Sequence, residues 1–350
     1  MANCTADAKP RIDVAIPCYQ YGRFLRECVE SVLSQDVDGI RVLVIDNAST
    51  DDSVEVAQQL ALEDKRVELI VNRTNIGPTA NYNKGIEWAT AEYFTLLDAD
   101  DMLAPGCLQR ALPVLDANPE VGFAYGFEAL QLPDGSVRRP AGETDRAPWQ
   151  IITGWRFIQD ACRMPRNFVG APTVVRRTAV QKRAGAYRAE LPYSDDLEMW
   201  LRLAAYGGVA STGRVQGIRR VHAQQHSTAF RSAMARDFRE REKAFVSFFA
   251  HEGHALPEAK PLLAKARRGL GAHAYWSAIS HLCRGHLHDA GELLAFCLRR
   301  RPTTALLPPF GWLLRMDRPM HRIVDVAREM LRRLRTPLRN AATPTHDPYQ

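Results

Sequence analysis

With 350 residues, 46% of them apolar and 25% charged, the chain is long enough for one well-buried core plus a second unit, or for two domains. No stretch approaches the roughly 18 consecutive apolar residues of a membrane span, and seven cysteines, an odd number without Cys-x-x-Cys spacing, indicate neither a disulfide framework nor a zinc site. The net charge of +6, with much of the arginine towards the C-terminus, argues for local contact with something acidic and against wholesale nucleic-acid binding. Because Met1-Ala2-Asn3-Cys4-Thr5 lacks a signal-peptide core, a cytoplasmic protein with a flexible lead over 1–9 is expected.

In chain order, β-like runs at 12–16, 42–45, 67–71, 93–97 and 121–125 alternate with helical patterns, which predicts parallel strands joined by crossover helices. The first helix carries Phe24-Leu25, Cys28-Val29 and Val32-Leu33 on one face, the stripe of a helix packed on a sheet. Further helices are expected over 52–62 and 79–90. Residues 132–148, rich in Pro, Gly and charge, read as a long loop between two halves, 10–127 and 149–229. Order resumes at 167–177 and 195–207, and beyond about 230 the pattern is helical throughout.

The densest chemistry is Asp98-Ala99-Asp100-Asp101, three carboxylates in four positions directly after the apolar run ending at Leu97. Carboxylates emerging at the C-terminal end of a buried strand lie where open α/β sheets take their ligands, and hard oxygen donors there suit Mg²⁺ or Mn²⁺ together with substrate phosphates. An isolated Asp-x-Asp also serves as the cap of a helix, here one starting near Met102. Two other strand ends, Ile16-Pro17-Cys18-Tyr19 and Ile45-Asp46-Asn47-Ala48-Ser49-Thr50-Asp51-Asp52, turn into helices and offer polar side chains and helical N–H groups to a nucleotide-sized ligand; Ser49, Thr50 and Asp51 are equally good N-caps. In Tyr193-Ser194-Asp195-Asp196-Leu197-Glu198-Met199-Trp200-Leu201-Arg202, the apolar face Leu197, Trp200, Leu201 and Ala204 leaves Asp195 and Asp196 at the first helical turn, as caps or as acid–base groups.

Taken in order, Val14-Ala15-Ile16-Pro17-Cys18-Tyr19, Val44-Ile45-Asp46-Asn47-Ala48-Ser49-Thr50-Asp51, Asn75-Ile76-Gly77, Asn83-Lys84-Gly85-Ile86, Ala91-Glu92-Tyr93 and Leu97-Asp98-Ala99-Asp100-Asp101 resemble the family 2 inverting glycosyltransferases of the GT-A fold, over about residues 10–228. The resemblance implies a GT-A-like α/β domain, a mixed but mainly parallel sheet flanked by helices, that takes a nucleotide-sugar and a divalent metal. It puts Pro17, Tyr19, Asp46 and Asn47 around the nucleoside of a donor expected to be UDP-linked, with Asn75, Asn83, Asp98 and Arg220 also on the donor side. It makes Asp98 to Asp101 the family's Asp-x-Asp motif, with Asp100 as first choice for Mg²⁺ or Mn²⁺ and Asp98, Asp101 and His222 completing the metal set. It assigns the catalytic base to Asp196, with Asp195 in reserve, and matches 167–173 to the acceptor side. The chain departs from the common family pattern at Asn47, where many relatives have Asp, and at Tyr82, where many have Arg.

The C-terminal part, 230–339, is expected to be an all-helical extension, with Ala274, Ala278, Leu282, Ala290, Leu294 and Leu298 lining a helical hairpin that turns at Gly285. Over 321–339, Ile323, Ala327, Met330, Leu331 and Leu334 form an apolar face beside Arg322, Arg328, Arg332, Arg333 and Arg335, a basic amphipathic helix suited to an anionic membrane or to docking on its own domain. Residues 340–350 read as a disordered tail. The expected activity is therefore transfer of one sugar to a hydroxyl of a glycan or lipid-linked acceptor, with inversion, in bacterial cell-surface glycan synthesis at the inner membrane face. The competing readings are a non-catalytic nucleotide-sugar-binding or partner-recruiting protein and a sugar nucleotidyltransferase, although Pro17-Cys18-Tyr19-Gln20-Tyr21-Gly22 is not the Gly-rich phosphate loop the latter would carry.

Overall fold

The computed structural model describes residues 10–225 and 234–313 and the single positions 324 and 328. Apart from those two positions, the lead over 1–9, the basic helix at 321–339 and the tail at 340–350 lie outside the described residues. Two compact units result, one within 1–160 and 167–223, the other within 161–166 and 224–350.

The first unit runs β1 (Ile12–Cys18), α1 (Gly22–Leu33), β2 (Ile40–Asp46), α2 (Ser53–Glu63), β3 (Val67–Val71), α3 (Pro78–Trp88), β4 (Tyr93–Leu96), β5 (Met102–Leu103), α4 (Cys107–Ala117) and β6 (Val121–Gln131). It continues through β7 (Val137–Arg138), β8 (Trp149–Ile152), α5 (Gly154–Arg163), β9 (Val175–Arg177), α6 (Thr178–Ala184), α7 (Asp195–Tyr206) and β10 (Gly208–Arg220). Among the described residues these strands form one sheet in the order β3-β2-β1-β4-β9-β6-β10-β5, with β7 on β6 and β8 on β10. Strands β1, β2, β3, β4, β6 and β10 share one direction, and β5, β7, β8 and β9 run against them. The sheet is thus mixed and mainly parallel, and its parallel strands carry apolar residues on both faces because helices cover both.

The α1 stripe packs as its spacing predicts: Leu25, Cys28, Val29 and Val32 are buried against Ile12, Val14 and Ile16 of β1 and Val42 and Val44 of β2. Three local expectations shift. No helix starts near Met102; that stretch is β5, antiparallel to β10, and α4 begins only at Cys107 after Gly106 at φ +71°. Leu103 N–H donates to Ser31 Oγ at 3.1 Å and Ala104 N–H to Gln216 O at 3.0 Å, so these amides have tertiary partners before a helix can claim them, and Pro105 pushes Ala104 towards extended backbone. β6 extends to Gln131, well past 125, because Gly126 lets β10 approach: a Cβ there would lie 2.4 Å from Gln216 Cγ. The expected loop over 132–148 contains β7, which turns back onto β6 at Gly135, φ +81°.

In the second unit, α8 (Met234–Ala250), α9 (Ala259–Cys283) and α10 (Leu287–Arg300) precede the short α11 (Phe310–Leu313). Phe238, Leu270, Ala274, Ala278, Leu293, Phe296 and Cys297 form its core, and the hairpin does turn at Gly285, φ +74°. Leu282 and Leu298, expected inside the hairpin, are instead 40% and 42% exposed. Glu242 of α8 joins the three helices by accepting from Arg267 of α9 at 3.0 Å and Arg300 of α10 at 2.7 Å. Among the described residues no helix is long and apolar enough to cross a membrane.

The start of α1 sits so close to the β2–α2 loop that a Cβ on Gly22 would lie 2.1 Å from Asp52 Oδ1 and 2.8 Å from Ser53 N. Gly22→Ala is expected to cost about 1–3 kcal/mol by forcing these segments apart, read as a lower midpoint in urea unfolding; an unchanged midpoint would refute the close approach.

Candidate functional site

The C-terminal ends of β1, β2 and β4 bring the motif residues to one edge of the sheet. Asp98 O accepts from Asp101 N–H at 2.9 Å, a tight turn that fans the three carboxylates apart. Asp98 is half-buried and hydrogen-bonded by Tyr82 of α3. Asp100 is buried, hydrogen-bonds with Tyr21, and has its Oδ2 3.0 Å from His222 Nε2. The His222 ring lies edge-on to Tyr21, 5.5 Å between centroids, and 4.8 Å from Phe24, and its Nδ1 is buried without a hydrogen-bond partner. Asp101 turns towards β10, where its Oδ1 accepts from Arg220 N–H at 3.1 Å.

Asp195 and Asp196, in the first turn of α7, belong to the same electrostatic site. Burial, with Asp100 next and Asp195 adding, pushes Asp98 up to about 7, even though the Tyr82 hydrogen bond works the other way. Burial, with Asp98 as the leading charge, pushes Asp196 up to about 6, while Arg176 pulls it down. Burial and the neighbouring Asp196 push Asp195 up to about 8, and burial with Asp100 and Asp98 drives Asp101 well above the ordinary carboxylate range. The negative charge of Asp98 is also the main reason that Tyr82 holds its proton far above the ordinary phenol range. Like charges gathered in a poorly solvated place carry a free-energy cost that a cation relieves. The donor set, carboxylate oxygens with one imidazole, fits Mg²⁺ or Mn²⁺.

Asp46, at the end of β2, is fully buried; its Oδ2 accepts from Ser49 N–H at 2.9 Å, and its Oδ1 has no hydrogen-bond partner. Such an orphaned acceptor is costly unless a donor arrives. Asn47 is differently employed. Its Oδ1 accepts from Asn72 Nδ2 at 3.1 Å and Ile76 N–H at 2.9 Å, and its Nδ2 donates to Asn75 Oδ1 at 3.0 Å. Asn72 Nδ2 also donates to Asn81 Oδ1 at 3.0 Å, and Asn81 Nδ2 donates to Ile45 O at 2.9 Å. Four asparagine side chains thus tie the ends of β2 and β3 to α3, a role for which an amide, both donor and acceptor, suits where a carboxylate does not.

Residues 13–178 match the sequence model described as Glycosyl transferase family 2. This chain carries a family 2 glycosyltransferase domain. It is 32% identical over 119 residues to a GalNAc(5)-diNAcBac-PP-undecaprenol beta-1,3-glucosyltransferase of Campylobacter jejuni, a match covering 34% of this chain and 37% of that one. Among solved structures it resembles Staphylococcus aureus TarS 1–349 in complex with UDP-GlcNAc, with a TM-score of 0.53, 17% identity and coverage of 84% of this chain and 91% of that one. It likewise resembles the mannosyltransferase PcManGT of Pyrobaculum calidifontis in complex with GDP-Man and Mn²⁺, with a TM-score of 0.58, 19% identity and coverage of 93% and 86%. Identities this low speak for the shared fold.

In this family 2 domain the expected residues are not all equally available. Asp46, Asp98, Asp100, Asp195, Asp196 and His222 gather at the sheet edge described above. Pro17 is buried within β1 opposite Ile45, and Tyr19 is 43% exposed just beyond it. Asn75 is exposed but spends its Oδ1 on Asn47 and on Gly77 N–H at 2.8 Å. Asn83 uses both ends of its amide on one backbone residue, donating to Tyr187 O at 3.0 Å and accepting from Tyr187 N–H at 2.7 Å. Arg220 stacks over Phe24 at 4.4 Å and donates to Gln131 Oε1 at 2.8 Å and Glu27 Oε2 at 2.5 Å. Nor do the N–H groups leading into α1 stand open to a ligand: those of Gln20, Tyr21 and Gly22 donate to Ser49 Oγ, Ser53 Oγ and Asp51 Oδ2 at 3.0–3.2 Å.

Sequence reasoning missed two partners of Asp196. Tyr187 places its hydroxyl 3.4 Å from Asp196 Oδ1. Arg176, fully buried on β9 near the rings of Phe94 and Trp200, hydrogen-bonds Tyr187 and donates to Gln181 Oε1 at 2.7 Å. The signal lies in the sequence: Arg176 follows directly on the apolar pair Val174-Val175.

The raised carboxylates make stability depend on pH with a definite sign. Asp98, Asp196 and Asp195 bind protons more tightly folded than unfolded, so their contribution is full below the ordinary carboxylate value of about 4 and is lost as pH rises from there through their folded values of about 6 to 8. In chelator, the thermal midpoint is expected to fall across this interval, and Asp195→Asn to flatten the fall. A midpoint that rises across the interval in the parent chain would refute the clustering.

Proposed function

We propose that this family 2 domain is a metal-dependent, inverting, non-processive glycosyltransferase that moves a single sugar from a UDP-sugar to a hydroxyl of a glycan or lipid-linked acceptor. The observation that carries the reading is the electrostatic union of two carboxylate groups, Asp98 to Asp101 at the end of β4 and Asp195–Asp196 at the start of α7, each raising the other's proton affinity. Asp100, Asp98 and His222 would hold Mg²⁺ or Mn²⁺, with Asp101 fixing the turn from the β10 side. Such an ion supplies the positive charge that a departing diphosphate requires. Asp46 would receive an N–H of the nucleobase on its unpartnered Oδ1, with Pro17 and Tyr19 beside the nucleoside.

Asp196 would accept the proton of the acceptor hydroxyl. Inversion in one displacement requires a carboxylate opposite the leaving group, and a carboxyl raised only to about 6, with Arg176 opposing a further rise, is largely ionised at neutral pH. Tyr187 would orient it through Oδ1, and Arg176 would hold Tyr187. Asp195, held higher at about 8, is mostly protonated at neutral pH and so less fitted to accept a proton. A place in bacterial cell-surface glycan synthesis, with peripheral contact at the inner membrane face, belongs to the same proposal. It is supported by the undecaprenol-linked substrate in the name of the Campylobacter relative and by the basic sequence at 321–339.

The test pairs donor binding with stereochemistry. Calorimetry with UDP- and GDP-sugars and Mn²⁺ is expected to favour a UDP-sugar, and Asp100→Asn to lose the metal-dependent part of binding. Asp196→Asn is expected to bind donor as the parent does while transfer falls by about 10²- to 10⁴-fold. Retention of the anomeric configuration in the product, read by NMR, would overturn the single-displacement scheme; metal-independent donor binding by the parent would overturn the metal assignment.

A further inference from the structure

Away from the carboxylate edge, the turn of the second unit's hairpin concentrates a different chemistry. His281-Leu282-Cys283-Arg284-Gly285-His286-Leu287-His288-Asp289 places five potential metal ligands in nine positions. α9 closes with His286 N–H donating to His281 O and Gly285 N–H to Leu282 O, both at 2.9 Å, around Gly285 in the left-handed region. This paired closure brings the third residue before the helix cap beside the second residue after it, a contact usually made by two apolar side chains. Here both are histidine. Their rings meet edge to face, 5.5 Å between centroids at 83°.

Asp289, one turn into α10 from His286, brings its Oδ2 to 3.7 Å from His281 Nδ1. One ligand atom from each of His281, His286 and Asp289 lies within 4.8 Å of the other two. Tetrahedral zinc with arms of about 2.0–2.1 Å holds its ligand atoms roughly 3.4 Å apart, so side-chain rotation of about 1.5 Å or less completes the set. His281 is 8% exposed, but His286 is half-buried and the Asp289 side chain 41% exposed, leaving an ion a way in from solvent. Favourable charge at helix ends accounts for His281 near the end of α9 and Asp289 near the start of α10. It does not account for the second imidazole, which lies between the helices.

We propose that His281, His286 and Asp289 form a structural site for a zinc-class transition metal, with the fourth position open to water, and that the ion pins the turn of the hairpin. Two imidazoles and one carboxylate select borderline ions such as Zn²⁺ or Co²⁺ over Mg²⁺. The oxygen-rich edge of the first unit has the opposite preference, so the two sites are separable by metal and by mutation. Because the three ligands fall within nine residues across a backbone-defined turn, the site belongs to the second unit alone. It stands or falls independently of the proposed transfer reaction.

The experiment uses the full, untagged chain bearing Asp100→Asn, so that ions at the carboxylate edge do not contribute. After chelation, titration with Co²⁺ is expected to give the visible absorption of a tetrahedral complex at one equivalent, displaced by Zn²⁺, and Zn²⁺ is expected to raise the thermal midpoint where Mg²⁺ does not. His286→Gln, at a half-buried position that leaves the fold's core intact, is expected to abolish both, and Asp289→Asn to weaken both. The proposal is overturned if His286→Gln binds Zn²⁺ as tightly as the Asp100→Asn background, or if that background shows neither the cobalt spectrum nor a zinc-dependent rise in midpoint.

Discussion

Five carboxylates brought together from two distant stretches of chain are the constraint around which the first unit is arranged. The repulsion between Asp98, Asp100 and Asp101 on one side and Asp195 and Asp196 on the other works against folding and is tolerated only because neighbouring elements hold the loops in place. The Asp98–Asp101 turn is fixed by its own backbone bond, by Tyr82 from α3, and by the backbone of Arg220 from β10. The Asp195–Asp196 turn is fixed by α7, whose inner face carries Trp200 and the buried Glu198–Arg202 pair at 2.8 Å. Marginal stability of the order of 5–15 kcal/mol leaves little room for such a concentration of charge unless it serves a ligand.

Around this cluster the protein uses hydroxyls and one buried guanidinium where solvent would otherwise do the work. Tyr21, Tyr82 and Tyr187 each hold their protons above the ordinary phenol range, the first and third chiefly through burial and the second chiefly through Asp98. Phenols in that state remain donors at any physiological pH and hold the carboxylates without adding charge. Arg176 is the exception, a full positive charge behind Asp196 with aromatic faces on two sides. Its charge opposes the rise of Asp196, which reaches about 6 where Asp195 reaches about 8.

Much of this was legible in the sequence because the informative groups are local. The strand ends at Pro17 and Asp46, the acidic run at Asp98 and the pair at Asp195 each fit within a few residues, and alternating patterns suffice to set their positions at the ends of elements. What escaped is the traffic between segments. That Asn83 grips the backbone of Tyr187, 104 residues away, or that Arg176 reaches Asp196 through Tyr187, leaves no periodic trace. The false helix start at Met102 has the same origin: the local cap signal was real, but Ser31 and Gln216 had already engaged the amides that a helix would need. Asn47 and Tyr82, visible in the sequence as departures from the family pattern, acquire meaning only once the asparagine ladder and the bond to Asp98 are seen.

The capping of the α1 entrance by Ser49, Asp51 and Ser53 has a consequence for how such a domain diversifies. Two loops at the C-terminal ends of β1 and β2 are bolted together, one supplying backbone donors and the other side-chain acceptors, with Gln20 and Ala48 both held at φ +61° where they meet. Neither loop can be exchanged alone without stranding the polar groups of its neighbour. Variation at this edge therefore has to travel as a paired replacement of 18–22 with 47–53, and a graft that moves only one of them carries a defect with it.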